Sequence, residues 1–247
     1  MNKILLQFLG SGDAFSSGTR LQSCIYVKTD RHKFLIDCGA TTMLGLRQHQ
    51  VQANEIELIL ISNLHGDHFG GIPYFVIDAQ LNRKRKNPLM IAGPVGITEK
   101  FYGLMEATFP GSSEIKTSFT LEIIEMEIGI HYRFGDMEVL PCPVVHAPGD
   151  PHHALRIECG GKIIAYTGDT EWTENLIPLA ALSDLLIIES YFYQKIVKYH
   201  LDYKTIEANA ALLQAEKIVL THMSADMLKN LDDIAFEYSA DGRIFEL

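Results

Sequence analysis

No apolar run in the chain is long enough to cross a bilayer. Its longest late stretch, Leu176 to Ile188, is broken by Pro178, Ser183 and Asp184, well short of the roughly 20 apolar residues that a spanning helix needs. Cysteine is scarce. Cys24, Cys38, Cys142 and Cys159 form no Cys-x-x-Cys pair and sit in apolar, strand-like surroundings, so they read as reduced core residues. Basic residues are outnumbered, 21 Lys and Arg against 31 Asp and Glu, and the formal net charge of −10 argues against a general affinity for polyanions such as nucleic acid. Linkers, repeats and low-complexity stretches are also missing, so a single domain over residues 1–247 is expected. The start, Met1 to Gly10, carries one Lys and a short apolar run interrupted by Gln7, with no small-residue cleavage site after it. It reads as a strand and not as a signal peptide, and the expected location is cytoplasmic with no membrane partner.

The apolar fraction of 47% with 21% charged residues fits a folded globular enzyme. The most informative stretch is Ile61-Ser62-Asn63-Leu64-His65-Gly66-Asp67-His68-Phe69-Gly70-Gly71-Ile72-Pro73. It follows the buried-strand run Leu58 to Ile61, and its glycines break regular structure, so the strand ends in a tight loop carrying His65, Asp67 and His68. Imidazole nitrogen and carboxylate oxygen are the usual donors for zinc and similar divalent ions. More such residues recur downstream at strand ends: His146, Asp169 and His222. Asp37 closes another strand, after Phe34-Leu35-Ile36.

The remaining pattern predicts strands at 3–9, 24–28, 33–37, 89–92, 121–126, 131–134, 137–145, 154–159, 162–166, 185–189 and 217–221. Those from 121 to 164 read as a meander, and 236–247 as a final hairpin turning at Ala240-Asp241-Gly242. Helices are expected at 41–50, 72–81, 96–107, 172–182 and 203–215. Arg83-Lys84-Arg85-Lys86 reads as a solvated helix end, with attraction of a phosphate as the competing reading. His152 and His153 follow the loop Ala147 to Pro151; they read as surface or strand-entry residues, with substrate contact, assigned to His153, as the competing role. The pattern by itself supports mixed α and β.

These motifs together resemble the metallo-β-lactamase-fold hydrolases, whose His-x-His-x-Asp-His signature is matched here with Asn63 in place of the first His. The other motifs stand in order: Asp37 before Cys38-Gly39, His146 after Val144-Val145, Asp169 in Tyr166-Thr167-Gly168-Asp169-Thr170, and His222 in Leu220-Thr221-His222-Met223. The resemblance implies a four-layer αββα sandwich. It implies one metal site of His65, His146 and Asp169, with Asn63 as a doubtful fourth member, and a second of Asp67, His68, Asp169 and His222. Asp37 is then the residue that orients a ligand histidine by hydrogen bonding.

Phe8-Leu9-Gly10-Ser11-Gly12, the Phe69-Gly70-Gly71-Ile72-Pro73 extension and His200 are similar to the ribonuclease Z-like and phosphodiesterase branch. That branch implies catalytic roles for Asp67 and for His200, the latter stabilising charge on the phosphodiester. Between Gly129 and His146 there is no room for the long arm with which tRNA-processing members grip tRNA. The expected function is therefore a phosphodiesterase using metal-bound hydroxide on a small phosphodiester or nucleotide, with folded RNA disfavoured. A thioester or lactone hydrolase of the same fold, or a non-catalytic metal binder disabled by Asn63, are the alternatives. The expected metal is Zn2+, or else Mn2+ or Fe2+, with one tight site and one weakened by Asn63. A homodimer stays open.

Overall fold

Leu58–Leu60 is apolar throughout and Leu185–Glu189 is apolar up to its last residue, the pattern of strands covered on both faces. In the computed structural model, which describes residues 3–148 and 151–247, both are interior strands of seven-stranded sheets. In chain order the strands are β1 (Leu5–Gly10), β2 (Cys24–Lys28), β3 (Lys33–Ile36), β4 (Leu58–Leu60), β5 (Leu89–Pro94) and β6 (Leu121–Met126). Then come β7 (Tyr132–Phe134), β8 (Met137–Cys142), β9 (Ala154–Cys159), β10 (Lys162–Tyr166), β11 (Leu185–Glu189), β12 (Ile218–Thr221), β13 (Glu237–Tyr238) and β14 (Ile244–Glu246). The first sheet runs β14-β1-β2-β3-β4-β5-β6 and the second β13-β12-β11-β10-β9-β8-β7.

The sheets share one core, in which Phe8, Val27, Phe34 and Leu60 lie in the same buried cluster as Val139, Ile157, Tyr166 and Ile187. Each such side chain contributes about 1.5–3 kcal/mol by leaving water. The outer face of the first sheet packs against α1 (Thr42–Gln48), α2 (Gly66–Phe69), α3 (Ile72–Ile77) and α4 (Ile97–Thr108) through Leu46, Phe69, Phe75 and Phe101. That of the second packs against α5 (Leu176–Ala180), α6 (Tyr203–Leu213) and α7 (Ala225–Leu228) through Leu179, Ile206 and Met227. This is the αββα order of layers. β3, β4 and β5 are parallel, as are β10, β11 and β12, so the carboxyl ends of each set open on one edge. Among the described residues no helix is long and apolar enough to cross a membrane.

Four expectations change. β6 pairs with β5 in the first sheet instead of joining the meander. The last two strands form no hairpin: β13 runs parallel to β12 in one sheet and β14 antiparallel to β1 in the other. The Asp241 carboxylate pins that crossing, accepting from Ser11 N (2.9 Å), Ser11 Oγ (2.7 Å) and Leu21 N (2.7 Å). The helix expected from Trp172 is only α5, because Pro178 lacks the N–H that would bond the carbonyl of Glu174. Arg85 is not solvated. It is buried and donates to the carbonyls of Ala53, Ile56, Asn87 and Pro88.

His32 ties the β2–β3 turn to the second sheet. Its Nδ1 donates to Glu57 Oε1 (2.6 Å) and its Nε2 to Asp136, a carboxylate that also takes Arg31 at 2.8 Å. Burial lowers the pKa of this imidazole, but the hydrogen bonds to Asp136 and Glu57 outweigh it and the net shift is upward. A raised folded pKa means that the contribution is complete below the unfolded value of about 6.5 and is lost as pH climbs through the folded one. Thermal denaturation followed upward from about pH 6 should show a fall in Tm that His32→Gln removes. Parallel Tm curves for the two proteins would refute the link.

Candidate metal centre

At the end of β4 the chain turns through Ser62, Asn63 and Leu64 into the single turn α2, with His65 at its N-terminal boundary and Asp67 and His68 inside it. The turn lies hard against the first sheet: a Cβ on Gly71 would stand 2.2 Å from the carbonyl oxygen of Gly39, so only glycine fits. Asp37 and His222, which directly follow β3 and β12, both take left-handed backbone, φ 61° and 55°. For residues other than glycine that conformation costs of order 1–3 kcal/mol and persists only where the surroundings enforce it.

Asp37 is fully buried and is the hub of the first half. Its carboxylate accepts from Ser62 N (2.8 Å), Ser62 Oγ (2.9 Å), Tyr166 OH (2.7 Å) and His68 Nδ1 (2.7 Å). The last bond fixes the His68 ring so that Nε2 points away, to 3.2 Å from Asp169 Oδ2 and 3.3 Å from Asp67 Oδ2. His222 Nε2 lies 3.1 Å from Asp67 Oδ2 and 3.6 Å from Asp169 Oδ1. Asp67, His68, Asp169 and His222 thus offer ligand atoms all within 4.8 Å of one another. His65, His146 and Asp169 form a second such group. There His146 Nδ1 donates to the Tyr199 carbonyl (2.9 Å), leaving Nε2 3.2 Å from His65 Nδ1 and 3.8 Å from Asp169 Oδ2. Asp169 belongs to both groups. The structure therefore brings together all six histidines and aspartates that the resemblance implies as ligands.

These donors fit a divalent cation. Asp169 Oδ1 and His222 Nδ1 are buried without a hydrogen-bond partner, a cost that a bound ion removes at the first of them. Without an ion, protons hold the cluster together: burial alone would lower His68 and His222, yet the nearby carboxylates raise His68 well above its usual value and His222 to about 9. Burial alone would raise Asp67 and Asp169, yet His68 and His222 hold both well below the carboxylate range. A cation takes the place of those protons. His146 differs, since burial brings it down to about 4 and leaves it a neutral donor.

Asn63 is buried, but its Oδ1 accepts the N–H of His65 (2.9 Å) and its Nδ2 has no partner. The amide oxygen is occupied by backbone. His153 corrects the substrate-contact reading: it is 1% exposed, and Nε2 donates to the Ile61 carbonyl (2.9 Å). Successive residues of an extended segment face opposite ways. His153 enters the core, so its neighbour His152 turns towards His146, with ring centroids 5.4 Å apart. Gly149 and Asp150, in the expected loop before them, lie outside the described residues.

His200 lines the cleft above both groups together with Phe15, Tyr191 and Tyr199, a space of about 180 Å³. Its Nδ1 donates to Glu189 Oε2 (2.9 Å) and its ring stacks on Tyr191 at 4.6 Å. Burial lowers the pKa of this imidazole, and the Glu189 carboxylate more than reverses that. Glu189, fully buried at the end of β11, also accepts from Thr170 N. Sequence reading passed over Glu189 although an acid closing an apolar strand is the same signal that marked Asp37 and Asp169. Tyr199 was also missed, because it acts through its backbone.

A family model described as anti-Pycsar protein Apyc1 matches residues 4–241. Zinc phosphodiesterase ELAC protein 1 of Homo sapiens is 37% identical over 102 residues, 40% of this chain but only 28% of the human protein's length. Ribonuclease Z of Oceanobacillus iheyensis is 26% identical over an alignment of 273 residues covering 89% of each chain. Among solved structures, the metallo-β-lactamase fold protein YhfI from Bacillus subtilis superposes with a TM-score of 0.81 at 22% identity, covering 100% of both chains.

Proposed function

The chain belongs to the anti-Pycsar protein Apyc1 family, in the ribonuclease Z-like branch of the metallo-β-lactamase fold, and from that premise we propose that it is a metal-dependent phosphodiesterase acting on a small phosphodiester or nucleotide. The observation that carries the reading is the pair of ligand groups sharing Asp169 beneath a cleft that His200 also lines. Residues 1–247 are read as one domain, since both sheets contribute to one core.

His65, His146 and Asp169 would hold one ion, and Asp67, His68, Asp169 and His222 the other. Nitrogen and carboxylate donors without sulfur suit zinc, with manganese as the harder alternative. Bound there, a divalent ion supplies Lewis acidity, lowering the pKa of water and drawing charge from phosphoryl oxygens. The chain's own part is positioning and proton control. Asp37 and the Tyr199 carbonyl fix which nitrogens of His68 and His146 face the other members of their ligand groups. His200, held by Glu189 and stacked on Tyr191, keeps Nε2 for the substrate and donates its proton to charge developing on a phosphoryl or leaving oxygen. The overall charge of −10 weighs against folded RNA.

Hydrolysis of bis(p-nitrophenyl) phosphate with added zinc or manganese, beside a panel of thioesters and lactones, tests the reading. Turnover of the phosphodiester supports it. Turnover of acyl esters alone replaces it with the acyl-hydrolase alternative, and tight metal binding without turnover of either leaves a metal-binding homologue.

Asn63 sets a separate expectation. With its oxygen bonded to His65 N, the first group has three donors against four in the second. Calorimetric titration with zinc should resolve one tight and one weak event. Asn63→His should tighten the weak one about tenfold or more, the scale on which even the neighbours of metal ligands act. Two equally tight events in the unmodified chain would overturn this.

A further inference from the structure

His146 is held differently from His68. The Nδ1 of His68 donates straight to the Asp37 carboxylate (2.7 Å), whereas that of His146 donates to a main-chain carbonyl, the one of Tyr199 (2.9 Å). A carbonyl orients a ring only if its own peptide is fixed. Tyr199 stands in the connection between β11 and α6 with φ 74°, a left-handed backbone that a residue other than glycine keeps only where its surroundings enforce it.

The enforcing contact comes from Glu171. Its Oε2 accepts the N–H of Tyr199 (2.9 Å), so the peptide planes on the two sides of the Tyr199 Cα are both pinned, one by Glu171 and the other by the His146 ring. Glu171 is in turn laced to the residue before His146. Its N–H donates to the carbonyl of Val145 (2.9 Å), and Thr170 Oγ1 accepts the N–H of Val145 (3.1 Å) while donating to the carbonyl of Glu171 (2.7 Å). The contacts close a ring that runs from Glu171 through Val145 to His146, across Nδ1 to Tyr199, and back to the Glu171 carboxylate. Such a ring fixes both where the His146 backbone lies and which way its imidazole turns. His146 Nε2 is left 3.2 Å from His65 Nδ1 and 3.8 Å from Asp169 Oδ2. His200, next in the chain after Tyr199, has its own hold in Glu189 Oε2 (2.9 Å), so the grip of Glu171 bears on His146.

We propose that Glu171 is a positioning residue of the metal centre: acting through the Tyr199 backbone, its carboxylate keeps the His146 proton on Nδ1 and so leaves Nε2 open to an ion. The assignment rests on the reading of His65, His146 and Asp169 as a ligand group and is independent of which ester is hydrolysed.

Metal-free protein with 15N-labelled histidine, held at pH 8, gives the first readout. Long-range 1H–15N correlation should show His146 protonated on Nδ1 in the unmodified chain and in Glu171→Gln, whose amide oxygen still accepts from Tyr199. Glu171→Ala should shift it towards Nε2–H. In calorimetric titration with zinc, Glu171→Ala should weaken binding at His65, His146 and Asp169 about tenfold or more, while the group of Asp67, His68, Asp169 and His222 stays within about twofold. Glu171→Gln should restore the lost affinity. His146→Ala identifies which event belongs to the weakened group, and adding Glu171→Ala to it should cost nothing more. Should Glu171→Ala fold poorly, Glu171→Asp gives the same comparison, because it keeps the charge but is one methylene too short for Tyr199.

An unchanged His146 tautomer in Glu171→Ala overturns the assignment. Equal weakening of both groups overturns it too, since the residue would then act through Asp169, two positions before it. Failure of Glu171→Gln to restore zinc binding rules out the route through the Tyr199 N–H. Both zinc events intact in His146→Ala would remove His146 from the centre, and the ligand-group reading would fall with the assignment.

Discussion

Asp169→Ala is expected to lose both metals together and to lower kcat by on the order of 10⁴-fold or more, the scale of removing one member of an interdependent catalytic set. The reason is topological. Asp169 stands just beyond β10, in the second sheet, and its two oxygens reach in different directions: Oδ2 to 3.2 Å from His68 and 3.8 Å from His146, Oδ1 to 3.6 Å from His222. No other residue belongs to both principal ligand groups. Its approach requires Gly168, whose φ is 57° and whose Cβ, if present, would stand 3.0 Å from Ser62 Cβ. His68→Ala should instead strip the four-residue group and leave the one formed by His65, His146 and Asp169. Elemental analysis of the three proteins, on samples with matched circular dichroism, separates these outcomes. Full metal content in Asp169→Ala would end the shared-ligand assignment.

The parts of this site that were legible in the sequence are those where an apolar run stops at a chemically distinctive residue. β3 is followed at once by Asp37, β4 runs into His65 and Asp67, and β12 is followed at once by His222, so period and punctuation mark both the strand and the candidate site residue beyond it. Information that is not local stayed hidden. Ala240-Asp241-Gly242 has the chemistry of a tight reversal, and the chain does reverse there. What it cannot carry is that the strands on either side pair with β12 and β1, in different sheets. Similarly, Arg85 sits in a run of four cations, yet the carbonyls that take it into the interior come from residues 53 to 56 as well as from its own neighbourhood. Charge pattern reports which residues prefer water. It does not report which one finds enough acceptors to leave it.

His200→Ala should keep its full metal complement and melting temperature while losing roughly 10²- to 10³-fold in kcat, the usual loss for removing one donor aimed at charge that develops in the transition state. His200 is 5.1 Å, centroid to centroid, from His146 and 6.1 Å from His222, so it overlooks both ligand groups. It also joins Glu189 and His222 in a third set of closely spaced donors. In that set His200 Nδ1 lies 2.9 Å from Glu189, and on the proposed function the pair serves as an oriented donor instead of a third ligand site. Glu189 is the test of this distinction. Glu189→Gln keeps the shape but removes the charge that holds the imidazole protonated, so kcat should fall by about tenfold or more with metal content unchanged. Loss of metal in Glu189→Gln would mean that the carboxylate serves the ligand group through His222, 3.8 Å away. The double variant His200→Ala with Glu189→Gln should be no worse than His200→Ala alone, because Glu189 acts on the reaction only through that ring. An unchanged kcat in His200→Ala would remove the residue from the reaction and leave the ligand groups as the whole of the catalytic apparatus.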